Sequence, residues 1–259
     1  MSGPTPLFDF FRRGEVARDV RLLAAQGALA PRAGEQLAIL VCLLEDPDAE
    51  IRQAADATVD KIPIEVLQAC LARSDIQAGL REFFASRGVC PGDRPSDDVD
   101  GPLIDTEPDA VVEKASPAPQ SVVEQVAQMG FSQRLKAAVK GSREMRAILI
   151  RDSNKMIAAS VLSSPKVSPS EVEGYARMAN VSEDVLRIIA ANRAWTKHYA
   201  VVLGLTRNPK TPVALSLNLM PRLHGRDLIA LSVDRNIAEP LRIAARKRMI
   251  ATTSGRHDS

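Results

Sequence analysis

Asp75-Ile76-Gln77-Ala78-Gly79-Leu80-Arg81 recurs as Asn180-Val181-Ser182-Glu183-Asp184-Val185-Leu186 and again as Asn236-Ile237-Ala238-Glu239-Pro240-Leu241-Arg242. Each copy has an Asp or Asn, a β-branched apolar residue, three mostly polar positions, and then an apolar residue that begins a helical run. Asp and Asn suit a helix cap because their short side-chain oxygens accept hydrogen bonds from the unpaired N–H groups of a first turn. Apolar residues four to five apart fall on one helical face. The phrase therefore predicts a turn-plus-helix unit used repeatedly. Leu67, Val172 and Leu228 occupy equivalent places relative to the three copies and are predicted to be buried.

A second periodicity supports the first. Arg151 and Lys155 correspond to Arg193 and Lys197, and Ser164-Pro165-Lys166 corresponds to Asn208-Pro209-Lys210, in steps of 42 and 44 residues. Helical repeats of two or three helices have periods of about 40–47 residues. Ser142, Ser168, Ser182 and Thr211 each precede an apolar-periodic run, Pro169 and Pro212 suit a first turn, and Ser168 with Glu171 fits a capping box. No stretch alternates with period two, so strands are not expected. One two-helix unit cannot cover its own apolar stripe, and neighbours must supply each other's core.

The chain of 259 residues is 45% hydrophobic but only 3% aromatic, so its apolar content is Ala, Leu, Val and Ile, the small and aliphatic residues that closely packed helices use. The net charge of +2 conceals a division. Residues 121–259 hold 22 Lys and Arg against 11 Asp and Glu, whereas residues 93–120 hold eight acidic residues against two basic. That acidic stretch also carries Pro95, Pro102, Pro108, Pro117 and Pro119. Proline and like charge oppose a packed core, which predicts a disordered, extended linker in which only Leu103-Ile104 and Val111-Val112 could dock. The expected organisation is all-α, with a helical domain over 1–88, a linker over 89–120, a basic helical-repeat domain over 121–252 and a disordered tail over 253–259.

Glu45-Asp46-Pro47-Asp48-Ala49-Glu50-Ile51-Arg52 resembles the inter-helix turn of HEAT repeats, with Asp46 and Arg52 in the positions that family favours. Asn208-Pro209-Lys210-Thr211-Pro212 resembles the turns of variant leucine-rich repeats, and the stretch from Gln125 to Arg248 resembles an uncharacterised bacterial helical-repeat family. The resemblance implies an α-solenoid in two parts that presents a surface for binding; it brings no shared catalytic motif and no functional residue.

Chemistry-bearing patterns are absent from the sequence. His198, His224 and His257 do not stand at metal-ligand spacing, and no phosphate loop, dinucleotide fingerprint or nucleophile elbow occurs. Cys42 and Cys70 lie in apolar runs and read as core residues, while Cys90 reads as exposed. No catalytic residue, metal site or cofactor is assigned. The apolar run Leu37 to Leu44 is too short to cross a bilayer and reads as a buried helix, and the start of the chain lacks a secretory pattern, so a cytoplasmic location is expected. Trp195 and Tyr199, four apart, are expected to pack against the next helix pair rather than to stack on a ligand.

The remaining candidates are cations. Arg151, Lys155, Arg193, Lys197, Arg207 and Lys210 lie at or near turns, and Arg246-Lys247-Arg248 adds a cluster on the final helix. Equivalent turns of a solenoid form one edge, so such residues would make a basic ridge able to neutralise successive phosphates. The acidic linker could instead fold over that ridge and screen it. The expected function is a non-enzymatic scaffold or adaptor for a protein partner. A nucleic-acid or other polyanion-binding module is the alternative, and an enzyme with a HEAT-like fold the more distant one.

Overall fold

The computed structural model describes residues 5–93, 101–106 and 121–254. Among them are seventeen α-helices, one 3-10 turn and no strand. The chain divides into two compact units, 1–167 and 168–259. This division differs from the boundary expected at residue 121. The reason is packing: Leu135, Val139 and Met156 share a core with Leu7, Leu37 and Leu40, so four helices beyond the acidic stretch complete the first unit.

Unit 1 comprises α1 (Pro6–Arg12), α2 (Arg18–Ala25), α3 (Ala33–Leu43), α4 (Ala49–Val59), α5 (Ile64–Leu71), α6 (Ala78–Ser86), α7 (Val122–Gln128), α8 (Phe131–Lys140), α9 (Arg143–Leu149) and α10 (Lys155–Val161). Unit 2 comprises α11 (Pro169–Arg177), α12 (Glu183–Ala191), α13 (Arg193–Thr196), α14 (Tyr199–Arg207), α15 (Val213–Leu219), the 3-10 turn Met220–Arg222, α16 (Gly225–Val233) and α17 (Glu239–Ser254). Apart from α13 and α17, every helix has seven to eleven residues. Isolated helices shorter than about 12–15 residues are marginal in water, so burial of one face holds each of these. α3 is the central case: Leu37, Ala38, Ile39, Leu40 and Leu43 are all buried, as its apolar run predicts.

The recurring phrase marks a recurring turn. In Arg73–Ile76, Ser164–Val167, Met178–Val181, Asn208–Thr211 and Asp234–Ile237, the N–H of the fourth residue donates to the carbonyl of the first. That fourth residue is β-branched and buried in all five. A helix begins two residues later in each case, at Ala78, Pro169, Glu183, Val213 and Glu239. The stiff, buried side chain pins the turn to the core while the hydrogen bond reverses the chain. Leu67, Val172 and Leu228 are buried on the helices that precede three of these turns, as expected. Asp75, Asn180 and Asn236 are not caps, however. They occupy the third place of the turn, and the cap position falls two residues on, at Gln77 and Ser182 for the first two.

Of the expected caps, Ser142, Ser168 and Ser182 each accept a first-turn N–H, and Ser168 forms the capping box with Glu171. Thr211 does not cap; it is the buried turn residue, and Pro212 takes the cap position of α15. Ser164-Pro165-Lys166 and Asn208-Pro209-Lys210 form the same turn: Ser164 Oγ and Asn208 Oδ1 accept from the N–H of Lys166 and Lys210. Arg151/Lys155 and Arg193/Lys197 are not equivalent. Arg151 follows α9 and Lys155 opens α10, whereas Arg193 opens α13 and Lys197 follows it. The positions that do match are Asn154 and Asn192, each accepting from two N–H groups of the helix it caps.

Buried polar groups fasten the turns. Asn208 donates from Nδ2 to the carbonyls of Ala176 and Met178, both at 2.9 Å, and so ties its own turn to the preceding one. In unit 1, Asp46 lies 2.9 Å from Arg21 and accepts from the N–H of Asp48, while Arg52 donates to the carbonyls of Asp46 and Pro47. Asp152 repeats the device with Arg134 at 2.7 Å and the N–H of Asn154. Glu35 on α3 caps a different helix: its Oε1 accepts from Leu7 N–H at 2.7 Å and Phe8 N–H at 3.0 Å in the first turn of α1. Burial pushes the Glu35 carboxyl up to about 7 against the lowering effects of those N–H groups, Ser163 and Arg32.

Part of the acidic stretch is docked rather than free. Residues 101–106 lie against unit 1, with Leu103 and Ile104 packed on its core as the sequence allowed. One of the acidic residues, Asp105, is paired with Lys140 of α8 at 2.6 Å. Val111-Val112 and the rest of residues 94–100 and 107–120 lie outside the described residues. At the other end, α17 runs to Ser254, past the expected start of the tail.

Two outcomes follow from these contacts. Asn208→Ala leaves two turn carbonyls without their donor and should lower the unfolding free energy of the chain by about 1–3 kcal/mol in urea titration. Glu35 has a folded pKa above its unfolded value of about 4.5, so its contribution is present in full below about pH 4.5 and is lost as pH rises through about 7. Glu35→Gln keeps a carbonyl oxygen for Leu7 and Phe8 but does not titrate. Relative to wild type it should therefore gain on the order of 3 kcal/mol between pH 5 and pH 8, read as a flatter pH dependence of the melting temperature.

Candidate binding surface of the basic unit

Unit 2 concentrates positive charge. Between Arg187 and Arg248 there are twelve Arg and Lys against three Asp and Glu. Seven of the nine candidate cations belong to this unit, and Arg151 and Lys155 belong to unit 1. All nine are exposed. In unit 1, Arg151 donates from Nε to the carbonyl of Ala147 at 3.0 Å, a contact that satisfies the end of α9. In unit 2, Arg193 and Lys197 bracket α13, Lys210 sits in the Asn208–Thr211 turn, and Arg207 ends α14 with its Nη2 3.6 Å from Asp227. Arg246 and Lys247 lie on the outer face of α17, and Arg248 reaches toward the carbonyl of Pro221 at 3.5 Å.

Asp227, which the sequence reading passed over, organises the region where α14 and α16 begin. Its Oδ2 accepts from the Tyr199 hydroxyl at 2.5 Å, and Arg207 and Arg226 stand 3.6 and 3.9 Å from the carboxylate. The Tyr199 hydroxyl accepts in turn from the His224 N–H at 3.1 Å, and the two rings stack with centroids 4.2 Å apart. Burial, and next the bond to Asp227, push the Tyr199 phenol above its ordinary range. His198 and His224 take the cap positions of α14 and α16. Arg222 donates to the carbonyl of Thr196, which finishes α13. Trp195 is buried, so its role is packing, as expected. His257 lies outside the described residues.

The second feature of this unit is apolar. Ile229 and Val233 of α16 are 53% and 66% exposed, and Ile243 and Ile250 of α17 are 44% and 67% exposed. They do not belong to the core of these helices, which is formed by Leu228, Leu231, Leu241 and Ala245 with Val202, Met220 and Leu223. Ile229 and Val233 are four apart and share a face with Arg226; Ile243 and Ile250 share a face with Arg246 and Lys247. The signal was present in the sequence as aliphatics one step off the core stripe, but it stands out only once the core stripe is known.

Among the described residues, no group of three His, Cys, Asp or Glu side chains is placed to hold a metal ion. Cys70 is buried, Cys42 half-buried and Cys90 exposed, and burial pushes the Cys70 and Cys42 thiols above their ordinary value. Among the described residues, no helix is long and apolar enough to cross a membrane. What the described residues of unit 2 offer is a surface of cations and aliphatic side chains on a helical scaffold. The chain matches no protein-family model, no curated protein and no solved structure.

Proposed function

We propose that the protein is a non-enzymatic cytoplasmic scaffold, built from stacked helical repeats of the HEAT-like kind, that holds an acidic protein partner on unit 2. The observation that carries this reading is the exposure of Ile229, Val233, Ile243 and Ile250 inside a stretch of twelve cations and three acids. Removing such side chains from water stabilises a complex by about 25 cal/mol per Å² of apolar area. Cations around them draw an acidic partner in and orient it, acting more on encounter rate than on affinity. The five-fold recurrence of one buried-residue turn supports the repeat reading, and free cysteines support a reducing compartment.

A second reading, binding of a nucleic acid, is favoured by the exposure of Arg193, Lys197, Arg207 and Lys210 at helix ends and turns. Photo-crosslinking in the native cell separates the two. A photoreactive residue at position 229 or 243 should give an adduct with an acidic protein, one at Arg187 on α12 should not, and Ile229→Ser with Val233→Ser should abolish the adduct. If instead no protein adduct forms, and the chain binds duplex DNA with a steep salt dependence lost on changing Arg151, Arg193 and Arg207 to Glu, the nucleic-acid reading replaces this one.

A further inference from the structure

Residues 101–106 lie on unit 1 as a ligand lies in a groove. None of the six is fully buried, whereas three of the residues that receive them, Gly27, Ala33 and Gln36, are, with Gln36 only 3% exposed. The Gln36 side chain reads the segment's backbone on both edges of its amide. Its Oε1 accepts from the N–H of Leu103 at 2.7 Å and of Ile104 at 3.1 Å, and its Nε2 donates to the Ile104 carbonyl at 2.6 Å. The N–H of Ala33 donates to the Gly101 carbonyl at 3.1 Å, and the N–H of Thr106 to the Gly27 carbonyl at 3.5 Å. Two successive N–H groups meet one oxygen because the chain bends at Leu103, so Gln36 holds a bent backbone rather than a strand.

Side chains supply the selectivity. Leu103 and Ile104 pack on the core of unit 1, and the Thr106 hydroxyl donates to the Gln26 carbonyl at 2.8 Å. Asp105 meets Lys140 at 2.6 Å, and the Lys140 side chain is only 12% exposed. The receiving loop is itself shaped for close approach. Gly27 has φ +76, and a Cβ there would meet methyl groups of Ile104 and Thr106 at 3.3 and 3.4 Å. Ala30, three residues on, is held at φ +44, the left-handed region that a residue with a Cβ adopts at a cost. Strain of that sort accumulates where a loop is shaped for binding.

We propose that the Gln26–Arg32 loop, Gln36 and Lys140 form a recognition groove for a peptide of the pattern apolar-apolar-acidic-hydroxyl held in a bent, non-helical conformation, and that Leu103-Ile104-Asp105-Thr106 is its tethered occupant. An external protein segment of the same chemistry binds unit 1 by displacing this strap, so the strap sets the threshold for binding. A tether holds its end at an effective concentration in the millimolar range, so even a weak intrinsic contact keeps the groove filled until a better-matched segment arrives. The groove belongs to unit 1 and is independent of the reading given for the basic unit.

A labelled peptide Gly-Pro-Leu-Ile-Asp-Thr, titrated against the full chain, tests this. Wild type should bind it at least about ten-fold more weakly than the strap-released variant Leu103→Ser/Ile104→Ser, because the tether competes. Adding Gln36→Leu to that variant should abolish binding, and Lys140→Met should remove the advantage of the Asp peptide over its Asn counterpart. A released variant that keeps its cooperative melt yet binds no peptide at millimolar concentration would overturn the proposal, as would equal binding by wild type, the released variant and its Gln36→Leu form. Loss of the cooperative melt in the released variant overturns it too, since the strap would then be core rather than ligand.

Discussion

A buried β-branched side chain at the fourth position of a turn is the constraint on which much of this fold rests. The helices are too short to persist alone, so each must lie against a neighbour from the moment it forms. The turn decides how two such helices meet. Ile76, Val167, Val181, Thr211 and Ile237 each sit in the core while their own N–H groups close the turn, which couples chain reversal to apolar burial in one residue. A surface turn would let the two helices splay; a turn nailed into the core does not. The low aromatic content follows from the same arrangement, because closely packed short helices leave space for Ala, Val, Leu and Ile more readily than for rings.

Around these apolar anchors, polar groups settle the remaining backbone accounts. Every short helix adds unpaired N–H and C=O groups at its ends, and a chain with seventeen of them among its described residues has many to satisfy. Ser121, Ser142, Ser168 and Ser182 do so locally. Glu35 and Asn208 do so at long range, from 28 and 32 residues away along the chain. The long-range contacts matter more for uniqueness, because a buried carboxyl or amide finds its partners in only one packing. Glu35 carries the larger penalty, because burial pushes its carboxyl up to about 7.

Much of the helical architecture was legible in the sequence, and for identifiable reasons. The capping serines, the buried run of α3 and the shared turn at Ser164 and Asn208 all follow from local spacing. Local spacing could not supply the unit boundary, because α7 to α10 look like the start of a new domain until Leu135, Val139 and Met156 are seen in the core of the first. The Arg151 and Arg193 correspondence failed for a related reason: cation spacing is not held by burial, whereas the capping Asn154 and Asn192 are held by the helices they open. The candidate surface was legible as charge and not as shape. Asp227, Tyr199 and His224 come together from 25 to 28 residues apart, and Ile229 and Val233 differ from core residues only in facing the other way.

The two proposed surfaces would select differently, and the difference lies in desolvation. The seven candidate cations of unit 2 are exposed, so each would exchange water for a partner's carboxylate at little net gain, and together they would attract acidic surfaces without choosing finely among them. Lys140 is in the opposite situation. Its side chain is only 12% exposed, with Asp105 at 2.6 Å and the Ala28 carbonyl at 3.5 Å, so a carboxylate facing it is little screened by water. In the proposed groove an acidic side chain at that position is therefore favoured over its neutral isostere. Gln36 adds a second condition, a backbone bent at Leu103, since its amide faces two successive N–H groups and the carbonyl of the second residue. The two proposed surfaces therefore differ in kind: unit 2 would attract broadly through solvated charge, whereas the groove of unit 1 would select through one desolvated cation and one fixed amide.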